Sequence, residues 1–391
     1  VVGVRRSEEM YQTPQSALST GYEPVSEMSN PITREIDRAP ASSIVKMLHA
    51  CDIQMFQEES GLAYEKLLSN QVVETLMKVA ERVQLILEDS LIVLSGCGTS
   101  GRLAFFITVK ITFLGGAICL YIIAGGDRLL FVFRHINTSD RMVLIGAPHQ
   151  APFVAGQLDV CLQHPDVYTP VLIGFNPCVS LCRKEPIPGC TFTFHSVVER
   201  MQELSKMQKA FLINPALGPE AISGSSRMKG GSATKILLEV VFSAAHAANS
   251  SRTPILYKYR MKSYKQALDV TYSQAEGIAA LMEAAGHRRV CYLGWGSLGL
   301  LGLIDASECK PTFGQWELST KLLLNAVSTG AHIFKGKVYQ NYMIDLQVTN
   351  SKLYHRATRL LQSHSVRKEA VEECLLKYTS SKGLEILKPN V

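Results

Sequence analysis

Two short stretches of the chain carry the residue types that hold anions. SGCGTSGR (95–102) follows the apolar run LIVLSG and opens a helix. Gly98, Thr99, Ser100 and Gly101 therefore stand where backbone N–H groups and the positive end of a helix dipole face outward. The Thr99 and Ser100 hydroxyls add donors, although either could serve only as a helix cap. GPEAISGSSRMKGGSATK (218–235) packs four Gly, four Ser, one Thr, one Arg and two Lys ahead of the apolar run ILLEVVFSAAHAA. Its helix start is expected to offer N–H groups, the hydroxyls of Ser223, Ser225 and Ser226, and the cations Arg227 and Lys229, a set suited to a monoester phosphate.

Other chemistries are less well provided for. SGCGTSGR also satisfies G-x-G-x-x-G, and Asp127 follows the next strand, so a dinucleotide lobe is a rival reading. The hydroxyl pair at the positions that lie under a pyrophosphate, and the turn-like AGG before Asp127, argue against it. No Walker-type loop, nucleophile elbow or H-E-x-x-H motif occurs, and no paired carboxylates stand near either loop in sequence. The expectation is binding without catalysis, no cofactor and no metal. Cys178, Cys182, Cys190 and His195 are close in sequence, but their spacing fits no common zinc module.

The bulk of the chain must position these loops. Its 391 residues, 47% hydrophobic, can bury a large core, and the ten Cys at irregular spacing fit a reduced, intracellular protein. The net charge of +6 is spread without a basic block, so neither nucleic acid nor a membrane surface is an expected partner. Helices are expected over SSIVKMLHACDIQMFQEE and roughly 64–88, and the helix after the second loop reads as amphipathic. The apolar runs at 91–96, 118–125, 141–147 and 170–175, separated by helix-like segments, predict a doubly wound parallel sheet. The apolar stretch 105–126 contains Lys110 and Gly115-Gly116, so it reads as a buried helix and strand and not a membrane span.

LSGCGTSGRLAF (94–105) is echoed by LGWGSLGLLGL (293–303), which implies a second lobe of the same kind. After that echo the chain passes from CKPTFG into helix, and one strand cannot make a sheet. The link FVFRHINTSD, between the strands near 118–125 and 141–147, is short for a parallel crossover. A helical segment follows over 317–378.

GPEAISGSSRMKGGSATK, together with SGCGTSGR, AGGDR, APFVAGQ, GFNP, TYSQ, ELSTK and NAVSTGAH, resembles the family that joins the N-acetylmuramic acid 6-phosphate etherases to the glucokinase regulatory proteins, and is most similar to the latter. The resemblance implies two flavodoxin-like sugar-isomerase (SIS) lobes with a C-terminal helical cap. The corresponding divisions are an arm over 1–38, a first lobe with flanking helices over 39–286, a second-lobe remnant over 287–314 and a cap over 315–391. It implies that Thr99 and Ser100 contact phosphate and sugar, that Ser225, Ser226 and Arg227 complete the cradle, that Glu308 takes sugar hydroxyls and that Lys321 is a cation brought in by the cap. Asp166 and Val167 would lie on a surface that meets glucokinase.

The implied function is a non-enzymatic regulator of nucleus and cytoplasm that inhibits glucokinase, with fructose 6-phosphate promoting and fructose 1-phosphate relieving the inhibition. The alternative within the same resemblance is a sugar-phosphate lyase or isomerase of the etherase type. The chain departs from the family where it carries FVFRHINTSD without the family's acidic ligand, where GAPHQ replaces a Ser/Gly-rich loop, and between Gly314 and Gln315, where most of a second sheet is missing.

Overall fold

The computed structural model describes residues 25–57, 66–84, 91–113, 119–124, 142–146, 152–175, 186–187, 190–251, 257–287, 302, 305, 318–346 and 351–363. Five strands, β1 (Leu91–Cys97), β2 (Cys119–Ala124), β3 (Met142–Gly146), β4 (Tyr168–Ile173) and β5 (Phe211–Ile213), form one sheet in the order β2-β1-β3-β4-β5. All four pairings are parallel, and β1 lies in the middle of the first three, with Leu94 opposite Tyr121 on one side and Ile145 on the other.

Strand side chains alternate between faces, and both faces are covered, which is why these strands read as continuous apolar runs. Ile92 and Leu94 enter the larger core, and Val93 enters a second core with Leu158, Val197 and Met201 of the opposite layer. The larger core is roofed by α1 (Ala41–Ile53), α2 (Asn70–Gln84), α3 (Thr99–Phe113) and α6 (Lys229–Ser251); the smaller one lies under α4 (Pro152–Gln163) and α5 (Phe194–Lys206). In α2, Val72, Leu76, Val79 and Val83 make the buried stripe. Each such side chain contributes about 1.5–3 kcal/mol on burial, which is what holds a 15-residue helix that would be marginal alone.

α6 departs from the amphipathic expectation. Ile236, Leu237, Leu238, Val240, Val241, Phe242, Ala244 and Ala245 are all buried, which covers the helix on nearly every side. It runs between α2, α3, α7 (Tyr257–Tyr272) and α9 (Leu318–Phe334), and a helix apolar all round belongs in such a position. Its buried Lys235 is neutralised by Glu239 at 2.6 Å, one turn on, and lies 5.7 Å from the centre of the Phe106 ring.

The helices α8 (Ala275–His287) and α9 pack together, and β6 (Val338–Tyr339) and β7 (Tyr342–Met343) form a small antiparallel hairpin before α10 (Ser351–Ser363). The arm over 25–38 folds as three short 3₁₀ turns, Val25–Glu27, Pro31–Thr33 and Ile36–Arg38. The stretch read as helix then strand over 105–126 holds the end of α3 and β2, and among the described residues no helix is long and apolar enough to cross a membrane. The second-lobe echo, the 125–141 and 147–151 links and the Gly314–Gln315 junction lie outside the described residues, residue 302 apart.

Candidate functional site

The β1–α3 turn stands at the carboxyl end of the strand from which the chain proceeds outward in both directions, β2 on one side and β3 on the other, the crevice where open parallel sheets bind ligands. Gly98 is left-handed (φ +57°), a conformation that costs glycine nothing. A methyl on Gly96 would sit 2.8 Å from the Gly101 nitrogen, so the helix start lies directly on the strand. Arg102 N–H makes the first helical bond, to the Gly98 carbonyl, and Thr99, Ser100 and Gly101 precede it in the first turn.

The second loop is folded by its own donors. Ser225 N–H donates to Ile222 O, Ser226 N–H to Gly224 O and Gly231 N–H to Ser226 O. The Glu220 carboxylate receives Lys229 N–H on Oε2 at 2.8 Å and Gly230 N–H on Oε1 at 2.9 Å. The N-terminus of α6 is thus capped from within, which corrects the expectation that it offers its N–H groups to a ligand.

Lys229 also turns inward. Its ammonium is fully buried and donates to Gln54 Oε1 and Leu217 O, both at 2.9 Å. Around it sit Glu220, Asp52 and Cys51. Burial pushes the Glu220 and Asp52 carboxyls above the usual carboxylate range against the pull of Lys229, and lowers Lys229 itself. Burial likewise pushes the Cys51 thiol up to about 12. Tyr272 O–H donates to Asp52 at 2.8 Å. Carboxylates do therefore stand beside the second loop, contrary to the sequence expectation; fold proximity, not sequence spacing, brings Asp52 there. Their oxygens hold a helix cap and a tyrosine.

The two loops meet over Gly231. A methyl at that glycine would lie 3.3 Å from Thr99 Cγ2, 3.3 Å from Lys321 Nζ and 3.5 Å from the Ser226 carbonyl oxygen. Lys321 projects from the first turns of α9, is buried, and donates to Arg227 O at 2.7 Å and Ser232 Oγ at 3.3 Å. The residues expected to act together from three distant parts of the chain, Thr99, Ser226 and Lys321, are brought around one point. Ser100 and Ser225 flank it in sequence and are buried.

Arg227 points elsewhere. Its guanidinium donates to Asp305 Oδ1 at 3.3 Å, Asn325 Oδ1 at 3.0 Å, Ser328 Oγ at 3.2 Å and Thr329 Oγ1 at 2.8 Å. It ties the loop to α9 through its side chain, while its carbonyl is what meets Lys321. Its planar fork of donors suits such a cluster of acceptors. Asp166 is exposed and paired with Lys209 at 2.7 Å, which holds its carboxyl below the usual range, and Val167 adjoins it at the opposite ends of the strands from the two loops. Glu308, Cys178 and Cys182 lie outside the described residues; Cys190 is a free thiol and His195 meets Glu199 at 3.2 Å.

Sequence reasoning missed Gly231, Glu220 and Asn325. Gly231 was readable as the second glycine of a helix start, a place where glycine is otherwise unfavourable. The acceptors on α9 have no local signal, because their role depends on a contact nearly a hundred residues away.

Comparison with known proteins agrees with this architecture. Residues 71–141 match the model of the glucokinase regulatory protein N-terminal SIS domain, and residues 340–383 that of the C-terminal lid domain of glucokinase regulatory protein. The chain is 34% identical to the glucokinase regulatory protein of Xenopus laevis over 92% of this chain and 84% of that protein, and 33% identical to that of Homo sapiens over 94% and 85%. These alignments run over 525 and 537 positions, more than the 391 residues of the chain, so the relatives carry internal segments without counterpart here. An N-acetylmuramic acid 6-phosphate etherase of Actinobacillus pleuropneumoniae is 29% identical over 56% of this chain and 68% of its own length. Among solved structures, a tagatose-6-phosphate ketose/aldose isomerase from Escherichia coli covers 70% of this chain and 64% of that one, at 12% identity and a TM-score of 0.43. With identity above 30% across most of both chains, and with both domain models matched in order, the chain belongs to the glucokinase regulatory protein family.

Proposed function

We propose that the chain is a non-catalytic regulator that binds and inhibits glucokinase and senses phosphofructose at the point where Thr99, Ser226 and Lys321 converge on Gly231. That convergence is the observation that carries the reading. A monoester dianion beside that contact, where the Thr99 methyl and the Ser226 carbonyl oxygen face Gly231, would take its charge balance from the Lys321 ammonium and its orientation from the hydroxyls of Thr99, Ser100, Ser225 and Ser226 and the first-turn N–H groups of α3. Arg227 acts from behind, by fixing the loop to α9. Glu308 is assigned to the sugar hydroxyls, and Asp166 with Val167 to the glucokinase surface. The arm (1–38), first lobe (39–286), second-lobe remnant (287–314) and cap (315–391) are the working divisions, in a protein of nucleus and cytoplasm.

Fructose 6-phosphate promotes inhibition and fructose 1-phosphate relieves it in this reading. Such opposition requires each ligand to prefer a different conformation, since equal affinity for both would shift nothing. The α9 lysine supplies the means, because α9 and the loop move apart only if Lys321 and Arg227 release their partners. Among the described residues, the two carboxylates beside the second loop are engaged elsewhere, Glu220 by two backbone N–H groups and Asp52 by Tyr272, which favours the non-catalytic reading over turnover of the etherase kind. The test is a glucokinase activity assay with the purified full chain. Inhibition that deepens with fructose 6-phosphate and recedes with fructose 1-phosphate supports the proposal; glucokinase activity indifferent to the chain at all phosphofructose concentrations overturns it.

A further inference from the structure

Residues immediately before the Ser225–Ser226 pair are gripped from two remote parts of the chain. Gly224 is left-handed (φ +70°), and a methyl there would fall 2.3 Å from the guanidinium carbon of Arg356, so the α10 arginine lies flat on the glycine. Arg356 Nη2 donates to the Gly224 carbonyl at 2.9 Å. The same guanidinium forms a two-pronged pair with Glu27 of the arm, Nε to Oε2 and Nη2 to Oε1, both at 2.8 Å. Gly224 N–H donates to Ser26 O at 2.8 Å, and the Ser223 hydroxyl donates to Glu27 O.

The lid hairpin joins the same knot. Ser223 N–H donates to Asn341 O at 2.9 Å, and the fully buried Asn341 side chain donates to Asn30 O at 2.9 Å and Thr33 Oγ1 at 3.1 Å while accepting from Ser29 Oγ at 3.0 Å. Arm, anion loop and lid are therefore hydrogen-bonded to one another through Gly224 and its neighbours.

We infer that Arg356 is a positioning residue for the phosphate loop, linking sugar-phosphate occupancy at Ser225–Ser226 to closure of the arm (25–38) and of α10 over it. The inference rests on the functional reading above. Arg356 and Glu27 are both buried, and two desolvated charges are stable in contact or fully hydrated but not half apart. Arg359 Nη2 also lies 3.4 Å from Glu27 Oε2, so opening the clasp parts one buried carboxylate from two guanidiniums, and the cost of separating buried charges opposes a half-open arrangement. Because Gly224 is held on both its N–H and its C=O, the path of the next two residues follows the clasp. By reciprocity, whatever factor the clasp contributes to ligand affinity, the ligand returns to clasp closure. Lysine cannot reproduce the fork that reaches both Glu27 oxygens and Gly224.

The test uses the full chain, wild type against Arg356→Lys and Glu27→Gln, with fructose 6-phosphate as probe. Calorimetry reads affinity, and hydrogen–deuterium exchange reads protection of 25–38 and 351–363 with and without the probe. The expected result is that the probe slows exchange in both segments of the wild type, while each variant binds about tenfold more weakly and shows no probe-induced protection of the arm. Variants that bind as the wild type does, or that bind weakly yet keep the induced protection of the arm, overturn the inference and leave the site reading standing. A wild type that binds no sugar phosphate defeats the site reading and this inference with it. Should one variant lose its cooperative melt, the other decides.

Discussion

Glu220→Ala isolates the most unexpected feature of the loop over 218–235, a helix start closed by the protein's own carboxylate. The side chain is buried and accepts two backbone N–H bonds, at 2.8 and 2.9 Å. Hydrogen bonds to a charged acceptor contribute about 1.5–3 kcal/mol each, and burying the orphaned donors costs a similar amount. The substitution also strips the buried Lys229 ammonium of an adjacent countercharge, and breaking a buried pair in this way costs about 3–5 kcal/mol. These contributions overlap because they share one carboxylate, so the loss is placed at about 4 kcal/mol. With an unfolding entropy of about 2.1 cal/mol/K per residue, a chain of this size melts about 5 °C lower. Glu220→Gln keeps one acceptor and the packing but removes the same countercharge and turns an NH2 toward the second N–H, so it recovers only about 1 kcal/mol of that loss. Thermal melts by circular dichroism at pH 7 measure both. An alanine variant that melts within 1 °C of the wild type, a margin of about 1 kcal/mol on the same scale, or a glutamine variant less stable than the alanine one, refutes the cap.

Gly231→Val fills the space between Thr99 and Lys321; fructose 6-phosphate affinity is expected to fall at least about tenfold by calorimetry, equivalent to about 1.4 kcal/mol, with an unchanged far-ultraviolet spectrum, and unchanged affinity contradicts the convergence. Burial pushes the Cys51 and Cys161 thiols up to about 12. Their folded values lie above the unfolded one, so their contribution is intact below about pH 8.5 and is lost as pH rises toward 12, about 4 kcal/mol for each thiol at the upper end. The stability gap between wild type and a Cys51→Ala/Cys161→Ala variant should therefore narrow steadily above pH 9 in denaturant titrations, and a constant gap contradicts it. Burial, aided by Arg227, lowers His332, whose Nδ1 lies 2.7 Å from Ser328 O. Its contribution is present above about pH 6.5 and falls away as the solution is acidified below it; His332→Gln should remove that part of the acid-side loss, and an unchanged acid profile speaks against it.

The parallel sheet was legible because strands covered on both faces must be apolar throughout, and β1 to β4 lie within two residues of the runs at 91–96, 118–125, 141–147 and 170–175. β5 was not, since three residues, Phe211–Ile213, show no periodicity. The β6–β7 hairpin is shorter still, and its two-residue turn, Gln340-Asn341, lacks the usual glycine: Gln340 itself is left-handed at φ 53°. Both loops could be placed at helix starts from their clustered glycine and hydroxyl residues. What those letters could not show was direction. Lys229 and Arg227 stand two residues apart in a turn, so one points into the core and the other to α9, and the cation at the meeting point is Lys321 from elsewhere in the chain. Local sequence likewise gave no sign that Glu27 and Arg356, 329 residues apart, would close on Gly224.

The central claim is that Thr99, Ser226 and Lys321 hold a phosphate monoester. Titration calorimetry of fructose 6-phosphate, with unphosphorylated fructose as control, into the wild-type chain and Lys321→Met tests it most directly. The account predicts saturable binding that requires the phosphate and is lost in Lys321→Met. Absence of binding, equal heats from unphosphorylated fructose, or undiminished affinity in the variant would contradict it.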